Sequence, residues 1–408
     1  MTRMKNDFNS DRRNFIKMAG LGTLALGFGC SGGQKKQPEA VIPGFEKTIQ
    51  ERDPHEGYVP ISDRKVRVGL VGYGACKFAT QFSLQNHPNV ELIAVSDLFP
   101  DRCAELAKVA KCNKTYPSLE EMVKDDKIEA IFCATDAPSH ARHAKLVLEH
   151  GKHVATAVPA IFGSIEEADM LMEVVKKNRG LKYMLFETSC YRGNLYAMRQ
   201  LYKAGALGKI VYSEGEYYHG ASLTPGGPPL GSYKNWRNSM PPQWYPTHSN
   251  AYYVGVTDGT FTEVSCMGWV RNTDKPEDNQ YKNPFTSEIA LFRTSEGGIS
   301  RMARTNTIGM VSETGRVQGE KGSYYEEYVG VEKELPDLNR PALPPGVEPG
   351  GHGGSHGNLG HEFISSIIQD RNPLVDVVMA LNLTASGIVA HSSALKDGEL
   401  MKIPQYSW

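Results

Sequence analysis

The chain first offers chemistry at Tyr245-Pro246-Thr247-His248. A histidine at the start of a helix exchanges protons near neutral pH, and a tyrosine beside it can share the proton of a sugar hydroxyl. The alternating run Lys209 to Tyr218 reads as a strand that delivers His219 to its end. The Gly- and Pro-rich stretch after it, Gly220 to Met240, carries Tyr233, Trp236 and Arg237, whose aromatic faces and planar guanidinium suit a sugar ring. Irregular loops of this length in compact domains are commonly functional. Gly350-Gly351-His352-Gly353-Gly354-Ser355-His356 places two more histidines among glycines, where backbone can approach a ligand closely. Two histidines also suit a metal, but no third carboxylate or cysteine stands at a matching spacing, so no metal site is expected.

A second constellation lies upstream. Val66 to Val71 has the pattern of a buried strand and runs into Gly72-Tyr73-Gly74-Ala75 before a helix-compatible segment. Such a turn lets backbone N–H groups and the first helical turn meet a pyrophosphate. The third glycine of that fingerprint is replaced by Lys77, which either packs less closely than glycine or adds a cation near the pyrophosphate. Asp97 ends the next strand, about 20 residues on, where a carboxylate accepts the hydrogen bonds of an adenosine ribose. The competing reading is an aspartate that caps the helix beginning near Pro100. Leu98 and Phe99 offer no cation for a 2′-phosphate, which favours NAD over NADP.

The elements that must position these residues alternate. Strands at Lys65–Val71, Val90–Val95, Ile128–Cys133, His153–Thr156 and Leu181–Phe186 are separated by helical segments, two of them opened by Ser118 and Ser164 as capping boxes. This predicts an α/β chain whose first domain is a doubly wound parallel sheet. After Tyr191 come the helix Leu195–Ala204 and short alternating segments, Phe261–Met267, Ser287–Arg293, Gly298–Ala303, Glu313–Gly319 and Gly322–Tyr328. They predict one large, mostly antiparallel open sheet. Lys282, Arg301 and Arg304 on it either project into the cleft or sit on a solvated strand face. Val375 to Leu395 reads as a closing helix. The expected division is a signal segment 1–30, a linker 31–63, a dinucleotide-binding domain 64–186 and a substrate and oligomer domain 187–408.

Ala134-Thr135-Asp136-Ala137-Pro138-Ser139-His140, Gly151-Lys152-His153-Val154 and Gly205-Ala206-Leu207-Gly208-Lys209-Ile210 resemble the signatures of the Gfo/Idh/MocA oxidoreductases, the glucose-fructose oxidoreductase and inositol dehydrogenase type. The resemblance implies a Rossmann domain holding NAD, with Thr135, His140 and Pro159 along the nicotinamide side. It also implies a C-terminal sheet that mediates homo-oligomer contacts. Where the dehydrogenases carry Glu-Lys-Pro, this chain has Ala157-Val158-Pro159, so the lysine that positions the reacting hydroxyl is missing. The aspartate four positions before the family's histidine is Trp244 here. Tyr-Pro-Thr-His and Gly-His-Gly-Gly are similar to segments of the NAD-dependent glycosidases of glycoside hydrolase family 109. That similarity implies that Tyr245 and His248 are catalytic. It further implies oxidation of a ring hydroxyl at C3 and glycoside cleavage through the keto sugar. A net glycoside or polyol dehydrogenase and a non-catalytic NAD-binding protein remain as alternatives.

With 45 basic and 46 acidic residues in 408, the chain has no excess field for nucleic acid, and no basic stripe is interleaved with aromatics. No apolar run is read as reaching the roughly 18 residues that span a bilayer. Asp11-Arg12-Arg13-Asn14-Phe15-Ile16-Lys17 before the apolar run Met18–Phe28 resembles a twin-arginine export signal, and Cys30 after it is a candidate lipid-attachment site. The expected location is periplasmic or anchored to the cell envelope. Export after folding gives no reason to expect disulfides, so the remaining cysteines are read as buried thiols.

Overall fold

The near-continuous apolar runs of the first half form parallel strands covered on both faces, as such runs require. The computed structural model describes residues 53–408 apart from 75, 220–235, 238, 271–279 and 307–310. The segment 1–30 read as an export signal, Cys30 within it, Ala75 and Tyr233 lie outside the described residues. The first half comprises β1 (Val66–Val71), α1 (Phe78–Gln81), β2 (Val90–Ser96), α2 (Pro100–Ala110), β3 (Thr115–Tyr116), α3 (Leu119–Met122), β4 (Ala130–Cys133), α4 (His140–Glu149), β5 (His153–Thr156), α5 (Ile165–Lys177) and β6 (Tyr183–Leu185). The strands pair in parallel in the order β3-β2-β1-β4-β5-β6, so the chain reverses direction across the sheet between β1 and β4. Ligands of such sheets bind at that switch point, beyond the carboxyl ends of the strands. Ser118 and Ser164 cap α3 and α5 by accepting the N–H groups of Glu121 and Glu167, as the capping-box reading expects.

The helix expected to continue from the glycine turn to Gln85 is broken. Ser83 adopts the left-handed conformation (φ 56°) and ends the helical run after α1, and a single 3-10 turn follows at Leu84–Asn86.

The second half comprises α6 (Gly193–Lys203), β7 (Ile210–Tyr218), α7 (Thr247–Asn250), α8 (Val254–Thr257), β8 (Phe261–Val270), β9 (Phe285–Thr294), β10 (Ile299–Thr305), β11 (Ser312–Gly319), β12 (Gly322–Tyr324), β13 (Tyr328–Gly330), α9 (His356–Ile368), α10 (Val377–Ala394) and β14 (Met401–Lys402). The sheet order is β13-β12-β11-β7-β10-β9-β8-β14, antiparallel except for β7 and β10. Alternate residues of β7 to β11 point inward onto helices, and the others form an outer face that exposes Met267, Trp269, Ile289, Leu291 and Ile299.

Among the described residues, one helix departs from the expectation that no apolar run is long enough to span a bilayer. The 18 residues of α10 include no Asp, Glu, Lys or Arg and are long and apolar enough to cross a membrane. They are buried instead, packed on β8 and β9 and against α5 and β6, so this helix is the spine between the two sheets. The tail after it returns to the body: β14 pairs with β8, and the Tyr406 hydroxyl donates to Asp169 on α5.

Candidate active site

The glycine turn fits a dinucleotide. Gly72 has φ +93°, and a Cβ there would lie 2.3 Å from the Ala134 carbonyl oxygen, so glycine is what allows the turn after β1 to pass this close to the chain leaving β4. A Cβ on Gly74 would meet no heavy atom within 4 Å, which leaves an open cradle above the turn. Asp97 does not cap α2; the cap position is Phe99, with Pro100 in the first turn. Its Oδ2 accepts the Tyr73 N–H at 2.6 Å and its Oδ1 the Phe99 N–H at 2.9 Å. A carboxylate has about four acceptor positions, so Asp97 fastens the turn and keeps capacity for a ribose. Lys77 is left-handed (φ 50°), and its Nζ lies 2.6 Å from Glu105 on α2 and 5.3 Å from the Tyr73 ring centroid. That half-exposed pair turns the ammonium toward α2. Lys77→Ala is therefore expected to keep its NAD and to lose no more than about 1 kcal/mol of stability, as for exposed ion pairs; cofactor retained after desalting, together with a urea melt, checks both.

On the other side of the switch point, the ring of His140, expected along the nicotinamide side, is tied to the chain itself. The ring is buried, with Nδ1 2.7 Å from the Pro159 carbonyl and Nε2 3.2 Å from the Thr135 carbonyl. A neutral ring carries one N–H, so the shorter contact is the hydrogen bond, Nδ1 donating to the Pro159 carbonyl, and His140 ties the start of α4 to the turn after β5. Burial lowers its pKa and keeps it neutral. Thr135 is oriented by a residue the sequence reading missed, His143, whose Nδ1 is 2.9 Å from the threonine hydroxyl. Arg142 can only donate to His143 Nε2, so the neutral ring carries its proton on Nδ1 and gives it to Thr135. The threonine hydroxyl proton then remains to be donated.

Tyr245 and His248 sit on a braced loop. The 3-10 turn Pro242–Trp244 presents the Gln243 N–H to Glu288 Oε2 at 2.7 Å, while Glu288 Oε1 takes His391 Nδ1 of α10 at 2.6 Å. Gly387 of α10 lets the turn close in, because a Cβ there would lie 2.1 Å from the Gln243 carbonyl oxygen. Asn250 of α7 donates to the Leu383 carbonyl at 2.9 Å and to Ser386 at 3.0 Å. Trp244 packs edge-on against Phe162, Tyr281 and His391, with ring centroids 5.3 to 5.7 Å apart. It is part of the brace, and the partner of His248 comes from elsewhere.

That partner is Glu187, two residues past β6. Its Oε1 lies 2.7 Å from His248 Nδ1 and also accepts the Ser189 N–H at 2.8 Å. A second carboxylate, Glu313 on β11, stands 3.8 Å from the same Nδ1. Glu313 is gripped by Arg192 in a two-pronged pair of 2.8 and 2.7 Å, and by the Ser189 hydroxyl at 2.6 Å. Burial alone would lower the His248 pKa; Glu187 and Glu313 outweigh it, and the net shift is upward. Burial likewise pushes the Glu313 carboxyl up, but Arg192 and then His248 hold it well below the usual carboxylate range. Every hydrogen bond of the His248 ring to the described residues runs through Nδ1, which leaves Nε2 for a ligand.

The inward face of the second sheet supplies the rest. Tyr217 is the register neighbour of both Glu313 and Arg304, and its ring lies 4.4 Å from that of His248 and 6.0 Å from that of Tyr245. Arg304, one of the three cations of uncertain direction, is buried with its guanidinium 4.5 Å from the Tyr217 ring centroid. Arg301 points outward to Glu214, and Lys282 is exposed. Arg237 stacks over Trp236 at 4.3 Å and reaches the Tyr245 hydroxyl at 3.5 Å, while the His219 ring is 5.6 Å from that of Tyr217. His352 lies nearly parallel to His248, with centroids 6.1 Å apart, and its Nδ1 is 2.8 Å from His356 Nε2. His352 adopts φ 50°, a left-handed conformation that costs a non-glycine residue about 1–2 kcal/mol. Burial and the neighbouring histidine keep His352 neutral, and burial brings His356 to about 3. His356 stands behind His352, with its ring 4.6 Å from that of Phe82, so it supports the site from beneath.

A parallel sheet with a glycine cradle at its switch point, facing a carboxylate-backed histidine among tyrosines and arginines, defines a dinucleotide-dependent oxidoreductase architecture. Residues 66–186 match the Gfo/Idh/MocA oxidoreductase family, described as having an NAD-binding Rossmann fold, and the chain carries a domain of that family. Over 91% of its length the chain is 23% identical to a glycosyl hydrolase family 109 protein of Streptomyces niveus, covering 85% of that relative. It is 30% identical over 165 residues to an alpha-N-acetylgalactosaminidase of Bacteroides fragilis, a match that spans only 38% of either chain. Among solved structures, levoglucosan dehydrogenase in complex with NADH and L-sorbose superposes with a TM-score of 0.69 at 17% identity, over 84% of this chain and all of that one.

Proposed function

We propose that the protein is an NAD-dependent enzyme that oxidises a sugar ring hydroxyl, at C3, and cleaves a glycoside through the resulting ketone. The observation that carries this reading is the His248–Glu187 pair. It restores the carboxylate–histidine dyad that Trp244 seemed to break, with Nε2 left for a substrate hydroxyl. Bound NAD supplies a hydride acceptor at the start of the cycle and the same hydride at its end. His248 takes the hydroxyl proton through Nε2 as the C–H bond at C3 gives up its hydride, and Glu187 stabilises the imidazolium. Tyr245, beside Arg237, hydrogen-bonds the reacting oxygen; the arginine supplies a cation in a site that lacks the usual lysine. The ketone acidifies the neighbouring C–H at C2, whose proton passes to water as the C1 substituent leaves with its bonding pair and takes a proton from water. Water then adds across the C1–C2 double bond, hydroxyl to C1 and proton to C2, and as hydride returns to C3 His248 gives its proton back to the ketone oxygen.

Such a closed cycle suits a protein that leaves the cytoplasm with one resident cofactor, which is how the signal read in residues 1–30 bears on the mechanism. We place the contact between copies on the outer sheet face, where Met267, Trp269, Ile289, Leu291 and Ile299 form an exposed apolar row. The test is to incubate the purified protein with a panel of glycosides in deuterated water. Cleavage with deuterium incorporated at C2 is expected. A stable keto sugar with stoichiometric NADH would make the protein a net dehydrogenase, and NAD bound without either product would leave it a binding protein.

A further inference from the structure

Thr135 stands two residues past β4, at the reversal of strand order where ligands of such sheets bind. A Cβ on Gly72 would lie 3.0 Å from its backbone nitrogen, so the threonine sits beside the glycine turn, and it is half-buried rather than sealed. Its hydroxyl can present a proton to a ligand or spend that proton on a neighbour, and the group it faces decides which. That group is His143 Nδ1, at 2.9 Å. A bare Nδ1 would take the hydroxyl proton and leave only lone pairs for a ligand. The other ring nitrogen settles the matter: Arg142 Nη2, which can only donate, lies 2.9 Å from His143 Nε2, so the proton of the neutral ring stands on Nδ1. Burial, and then the Arg142 charge, keep the ring neutral and bring its pKa to about 4. Among the described residues no acceptor takes the Thr135 hydroxyl proton.

We propose that Arg142 and His143 are positioning residues that act in series, holding the Thr135 hydroxyl as a hydrogen-bond donor to an oxygen of the bound dinucleotide. The inference rests on the NAD reading above. It is tested by reversing the relay from its outer end. The Arg142 side chain is 63% exposed, and its other partner is Glu120 on α3. Arg142→Glu puts an acceptor where the donor was, which draws the imidazole proton to Nε2 and turns the Thr135 hydroxyl onto Nδ1. Two measurements are made on full-length protein at pH 8, above the ordinary imidazole value of about 6.5, so that the ring stays neutral. Nitrogen NMR with isotope-labelled histidine reads the His143 tautomer, and titration with NAD reads the affinity.

Wild type is expected to carry the His143 proton on Nδ1 and Arg142→Glu to carry it on Nε2, with NAD bound about tenfold more weakly, the effect of one hydrogen bond to a charged group. Thr135→Val should lose a similar factor, and adding Arg142→Glu to it should cost nothing more, because both changes remove the same bond. A loss from Arg142→Glu that persists in full beside Thr135→Val would be a charge effect through space and would overturn the proposal. So would an unchanged affinity in Arg142→Glu, or a wild-type His143 protonated on Nε2. If Thr135→Val does not fold, as judged by circular dichroism, the tautomers and affinities of wild type and Arg142→Glu still decide. Wild type that shows the Nδ1 tautomer but binds no NAD would instead bring down the NAD reading, and this inference with it.

Discussion

Turnover of His248→Ala is expected to fall by about 10²–10⁴-fold, the usual worth of a positioned general base, while the protein keeps its NAD. The loss should appear equally in kcat and kcat/KM, because the proton transfer is made only in the transition state. A pH profile supplies an independent check. His248 works as a base only when neutral, so the wild-type rate rises with pH through its pKa. Glu187 and Glu313 raise that pKa above the ordinary imidazole value, which places the acid limb above about pH 6.5. Glu187→Gln removes the nearer charge and should move the limb to lower pH, whereas His248→Ala should abolish it. Undiminished turnover in His248→Ala, or an acid limb that ignores Glu187, would exclude His248 as the base.

The site was half legible in the sequence, and the halves divide by how locally each part is encoded. The cradle could be read because a strand, two glycines and an acidic residue after the next strand are neighbours along the chain. His248 and Tyr245 could be read because they share one short segment. Glu187 and Glu313 could not: they lie 61 residues before and 65 residues after His248, and only folding brings the three together. A weak signal existed for Glu187, an acidic residue at the end of an apolar strand, which is where parallel sheets gather function. Glu313 opens an alternating strand whose inward face is settled only by the pairing of β11 with β7. His140 shows the limit of a local motif: the motif implied a place along the nicotinamide side, but not that the ring's one N–H would be spent on the Pro159 carbonyl, which only the fold brings close.

The second large effect is expected at Arg192, which touches neither Tyr245 nor His248. Its guanidinium is the countercharge that lets two buried carboxylates stand on one side of a single imidazole. Arg192→Met keeps the bulk and removes the charge, leaving Glu313 buried without its partner. Breaking such a pair from one side costs about 3–5 kcal/mol. The pH dependence should identify the cause. The depressed Glu313 pKa contributes stability that is present above its unfolded value and lost as pH falls through the folded one, and the substitution forfeits most of it at neutral pH. His248 acts with the opposite sign. Its raised pKa contributes stability that is full below the unfolded value of about 6.5 and lost as pH rises through the folded value. Without Arg192 the excess negative charge raises that pKa further, so protonation of His248 recovers more of the loss. Urea denaturation should therefore find Arg192→Met more destabilised at pH 8 than at pH 6, with the acid limb of any remaining activity moved to higher pH. An equal loss at both pH values, or one below about 1 kcal/mol, would mean that Glu313 is screened by something other than Arg192, and the electrostatic account of the site would fail with it.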